Sequence, residues 1–100
     1  MIYAIPGNSY DQMLRAGTLQ SIERAVEHND QAALNRFIQA GDVVQARDAN
    51  RYPAGGRDRC YLCGDEVTPC ERHDGAIYFM HLRNANCIGC AANPPGVFQR

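Results

Sequence analysis

Residues 59–90 read RCYLCGDEVTPCERHDGAIYFMHLRNANCIGC, and this stretch decides the fold. Cys60-Tyr61-Leu62-Cys63-Gly64 is a knuckle: thiolates three positions apart grip one ion from a tight turn, and the glycine lets the backbone leave it. Cys87-Ile88-Gly89-Cys90 repeats the spacing after 23 intervening residues. Between the two, residues 67–73 and 76–82 flank Asp74-Gly75, a dipeptide suited to the positive φ angles of a two-residue hairpin turn. On the second strand, alternation places Ile77, Phe79 and His81 on one face, so that a metal-facing His81 has apolar neighbours to shield it.

The spacing predicts one structural zinc held by Cys60, Cys63 and a second pair drawn from His81, Cys87 and Cys90. The symmetry of the knuckles favours Cys60, Cys63, Cys87 and Cys90, with His81 as the alternative. Buried thiols without metal are the competing reading, but plain hydrophobes have no reason to recur at knuckle spacing. Cys70 has no cysteine partner at that spacing and reads as core or a free thiol, with the Cys70-x-x-His73 interval as its one link to a ligand role.

Working outward, residues 1–5 (MIYAI) read as a short apolar strand or a buried N-terminal arm, ended by Pro6-Gly7. Ser9 and Gln12 have capping-box spacing and open a helix that Gly17 stops. Thr18 caps a second helix with Leu19, Ile22 and Val26 on one face, and Asp30 a third, with Leu34, Phe37 and Ile38 as its stripe and Gly41 as its stop. Residues 43–47 read as a strand and 48–59 as a polar loop. Residues 29–53 resemble the second half of an ankyrin repeat, but no second copy follows, and one such unit cannot bury its own face.

The expected architecture is therefore α+β: one small domain over 1–100, with a helical half (1–42) and a zinc-binding half (43–100) ending in a zinc-ribbon-like β-hairpin. A chain of 100 residues buries proportionally little surface, so a metal staple fits its size. Five cysteines are an odd number, which argues against complete disulfide pairing. The N-terminus lacks a basic segment followed by an apolar run, and no stretch nears the ~20 apolar residues of a membrane span, so the expectation is a cytoplasmic protein without membrane contact.

At the residue level the zinc half resembles a known family. Cys60-x-x-Cys63, then Tyr78-Phe79-Met80-His81, then Cys87 is similar to the Cys-x-x-Cys, His-Phe-Ala-His and Cys pattern in the N-terminal zinc-finger-like region of CoiA-like competence proteins. The resemblance implies that Cys60, Cys63, His81 and Cys87 hold zinc, that Phe79 is a core residue, and that the fold is loosely associated with proteins handling DNA. Tyr78 replaces the family's first His, and no nuclease domain follows within the chain, so no catalytic role carries over.

Two Cys-x-x-Cys knuckles also suggest a degenerate HNH-type nuclease, with His73 and Asn84 cast as the remaining parts. The cast fails because His73 precedes Asp74, where that motif has Asp before His, and no His follows Cys90. Without a placed base or an open catalytic metal, hydrolysis has no engine, so the chain is expected not to be an enzyme.

All ten basic residues are Arg, against eleven acidic ones, a net charge of -1. Arg47, Arg51, Arg57, Arg59, Arg72 and Arg83 surround the zinc half and are the candidate contacts for a partner. Six acidic residues share that stretch, so bulk attraction to nucleic acid is missing. The leading expectation is a zinc-stabilised protein-interaction module, such as a bacterial or phage accessory factor or inhibitor of a nucleic-acid-handling complex. A DNA- or RNA-binding zinc ribbon is the alternative.

Overall fold

The structure, a computed structural model, describes residues 2–82. The expected positions Arg83, Asn84, Cys87 and Cys90 lie outside the described residues. Strand β1 (Tyr3–Ala4) leads through a 3₁₀ turn (Gly7–Ser9) into helices α1 (Tyr10–Ala16), α2 (Thr18–Glu27) and α3 (Gln31–Gln39). Strand β2 (Val44–Gln45) and a second 3₁₀ turn (Ala46–Asp48) follow, and after a long loop come β3 (Val67–Glu71) and β4 (Ile77–His81). The result is a small α+β domain with two antiparallel two-stranded sheets, β1-β2 and β3-β4.

The helices end where the sequence places their stops. Gly17 and Gly41 both take left-handed φ angles, 78° and 81°, which cost a glycine nothing. Asp30 caps α3 by accepting the Ala33 N–H at 3.1 Å. The expected capping box does not form: Ser9 makes no side-chain cap bond, because the preceding 3₁₀ turn holds it in a helical conformation instead of the extended one a capping side chain needs. Thr18 likewise opens α2 without capping it, since Gly17 occupies the cap position.

Two clusters make up the core. Ile5, Met13, Leu19, Ile22 and Val43 join the helices to the N-terminal arm, with Tyr61 of the knuckle packed against them. Ala4, Ala46, Cys60, Val67 and Phe79 join that arm to the hairpin. Phe79 is 1% exposed, and burying a side chain of that size stabilises by about 1.5–3 kcal/mol.

The strip between residues 49 and 66 links the halves through backbone pairing. Ile5 and Arg59 exchange both N–H···O bonds, at 2.8 and 2.7 Å, and Arg59 bridges on to Glu66. The Val67 N–H donates to the Asp58 carbonyl, so the odd-numbered residues of β3 direct their backbone groups away from β4. Pro69, opposite Phe79, sits in that outward set, where its missing N–H removes no ladder bond.

The hairpin turn departs from the expected two-residue form. The Gly75 N–H donates to the Arg72 carbonyl and the Arg72 N–H to the Ala76 carbonyl, enclosing a three-residue loop, His73 to Gly75. Only Gly75 has a positive φ, 92°, so this is a turn closed by a left-handed glycine. The Asp74 carboxylate selects it by accepting from the Ala76 N–H at 3.1 Å and the Arg72 guanidinium at 2.8 Å.

Candidate metal centre

The knuckle is built by short backbone bonds. The Gly64 N–H donates to the Cys60 carbonyl and the Cys60 N–H to the Asp65 carbonyl, both at 2.9 Å, while the Leu62 N–H points at the Cys60 sulfur at 3.3 Å. Gly64 leaves the turn at φ 79°, the exit that its place after Cys63 predicts.

β4 brings the third donor. Because β4 alternates, His81 lies on the Phe79 face, and the register Val67↔His81 places it at the hairpin end nearest the knuckle. The ligand atoms of Cys60, Cys63 and His81 all lie within 4.8 Å of one another, with Cys63 Sγ 3.3 Å from His81 Nε2. Metal–ligand bonds of about 2.0–2.3 Å in a tetrahedron imply donor separations of roughly 3.5–3.8 Å, so the cluster needs only small adjustments to close on an ion. Two sulfurs and an imidazole are three of the four donors found in Cys3His and Cys2His2 structural zinc sites. Burial pushes the His81 imidazole below its ordinary value, with the nearby Asp65 charge opposing, which favours the neutral ligand form.

Cys60 is fully buried, Cys63 exposed and His81 half-buried, so one side of the site is sealed by the core and the other faces outward. A layer of contacts that no motif announces surrounds it. Tyr10, the first residue of α1, lies against the knuckle so closely that a Cβ on Gly64 would stand 2.6 Å from its hydroxyl. Burial raises the Tyr10 pKa, and the charges of Cys63 and Cys60 raise it further. Arg59 lies over the Tyr10 ring, 5.9 Å from its centroid, and donates to the Gly64 carbonyl at 2.7 Å. The signal available in the sequence was Gly64 itself, but nothing local names Tyr10 as its neighbour.

The candidate contact arginines have separate fates. Arg59 is thus turned inward as a brace, and Arg72 is held at the turn by Asp74. Arg57 lies over the Tyr52 ring at 5.7 Å and donates to the Arg51 carbonyl. Arg47 and Arg51 both border a cleft beside the hairpin, and Arg47 stands 4.0 Å from Asp48. Cys70, in β3, lies outside the donor cluster. His73 sits in the turn at the opposite end of the hairpin from His81.

No helix among the described residues is long and apolar enough to cross a membrane. Comparison of the chain with protein-family models, with curated proteins and with solved structures gives no match.

Proposed function

We propose that this chain is a small protein-interaction module stapled by one structural zinc ion. The observation that carries the reading is the convergence of Cys60, Cys63 and His81 at the junction of both core clusters. Cys60 belongs to one cluster and its neighbour Tyr61 packs on the other, so an ion there ties the helices to the hairpin. The fourth ligand in this proposal is Cys87 or Cys90. Four protein ligands close a zinc site and reserve it for stability.

The role assigned to the staple is to hold a surface. Tyr52, Leu62 and Leu82 are large apolar side chains left exposed around the zinc half, and Leu62 stands on the knuckle itself. A near-neutral chain carrying such residues suits contact with another protein better than tracking of a phosphate backbone. The similarity to the zinc-finger-like region of CoiA-like proteins supports a bacterial or phage accessory factor or inhibitor acting on a nucleic-acid-handling complex. We assign it no enzymatic step.

Elemental mass spectrometry on protein purified without chelator tests the staple. The expected result is about one zinc per chain, lost together with the thermal transition in His81→Ala and in one of Cys87→Ala and Cys90→Ala. Metal-free protein whose melt is indifferent to chelator would overturn the proposal.

A further inference from the structure

Beside the hairpin, between the Ala46–Asp48 turn and the outer side of β3, lies a cleft of about 250 Å³. Ala46, Ala49, Pro69 and Ile77 supply the apolar part of its floor, and Arg47, Arg51 and Glu71 line it with charge. The volume falls below the ~300–1,000 Å³ usual for small-molecule sites, so it suits one or two side chains of a peptide more than a metabolite. Resting on the interaction reading above, we propose that this cleft binds an extended acidic peptide segment of the partner, seating a small aliphatic side chain on the floor and an adjacent Asp or Glu carboxylate on Arg47 and Arg51.

Three observations carry the assignment. The two guanidiniums are planar forks matched to a carboxylate, and the Arg47 side chain is 73% exposed, its Asp48 neighbour being at the 4.0 Å limit of an ion pair. The loop bearing Arg51 is braced: Arg57 donates to the Arg51 carbonyl while lying over Tyr52. At the β3 edge beside this lining, Pro69 and Glu71 direct their backbone carbonyls, and Glu71 its N–H, away from β4, offering an incoming extended segment partners of the kind used in strand addition. Glu71 on the cleft wall and Asp48 beside Arg47 favour a single placed carboxylate over a continuous run of phosphates.

The test uses zinc-loaded full-length chain and a set of acetylated hexapeptides, each with one Glu or Asp flanked by Ala, Val or Leu, matched by Gln and Asn versions. Backbone amide NMR shifts read binding and its place together. The expected result is saturable binding below about 1 mM by acidic members, with shifts centred on residues 46–51 and 69–77. Affinity drops roughly tenfold or more in Arg47→Ala/Arg51→Ala and for the Gln and Asn peptides, and is unchanged in Arg72→Ala, whose guanidinium belongs to the turn. No saturable binding by folded, zinc-loaded protein overturns this inference and leaves the staple standing, whereas loss of zinc and fold in the wild type defeats the reading beneath it. Equal binding by the double variant also overturns it. So does salt-sensitive binding of a single-stranded oligonucleotide lost in the same variant, which would assign the strip to nucleic acid.

Discussion

Gly64→Ala tests how the helical half is fastened to the knuckle. At φ 79° an alanine carries a backbone penalty of roughly 1–2 kcal/mol. Its Cβ would also stand 2.6 Å from the Tyr10 hydroxyl oxygen and 3.0 Å from the ring carbon that bears it, so Tyr10 must retreat. Retreat weakens the Arg59 contact with the ring, worth about 0.5–1 kcal/mol, and loosens packing against the helix cluster. The sum is about 2–3 kcal/mol, which for a domain of this size lowers the melting temperature by roughly 10–20 °C. Thermal unfolding of zinc-loaded protein, run in wild-type and Tyr10→Phe backgrounds, separates the two contributions. Tyr10→Phe removes the nearest atom, so Gly64→Ala should cost about 1 kcal/mol less there. A melt within a few degrees of wild type, or an equal cost in both backgrounds, would refute the contact as the fastening.

Gly7→Ala should be as damaging for a different reason: its Cβ would run into the backbone carbonyl of Arg57, which cannot rotate aside, and a loss of about 2 kcal/mol or more in urea denaturation is expected. Asp30→Ala removes the cap on α3 and should cost about 1 kcal/mol by the same assay, while Asp30→Ser should restore most of it. The bond from the Ala76 N–H, with help from Arg72, holds the Asp74 carboxyl below its usual 3.8, so its stabilisation is present above that value and is lost as pH falls through the lower folded-state value. Asp74→Asn should therefore be less stable than wild type near neutrality, with the gap closing in acid; a gap constant with pH would show that the charge is irrelevant to the turn.

Much of this organisation is legible in the sequence because it is local. Left-handed exits at Gly17, Gly41 and Gly64, the Asp30 cap and the two helix stripes each follow from a few adjacent residues. So does the side of β4 on which His81 falls, since strand alternation alone places it with Phe79. The turn type was not legible: Asp74-Gly75 suits two geometries, and the carboxylate's bonds to Ala76 and Arg72 choose between them. Nor was the bracing of the knuckle by Tyr10 and Arg59, which depends on where α1 packs after the chain has folded. The Ser9 cap failed as an expectation because sequence spacing cannot reveal that a 3₁₀ turn already fixes its backbone.

The ladder from Ile5 through Arg59 to Glu66 has a consequence for the order of assembly. Ala4 and Ile5 leave a ribosome well before the residues they pair with, and both end fully buried. Their pairing partners, Val44 and Arg59, emerge only after most of the helices and the loop have been made. Until then the helices act as a spacer whose closure cost precedes any reward from pairing. A nascent chain halted before residue 59 would leave Ile5 without its strand partner and the knuckle unmade, so this arm is secured late although it is synthesised ahead of its partners.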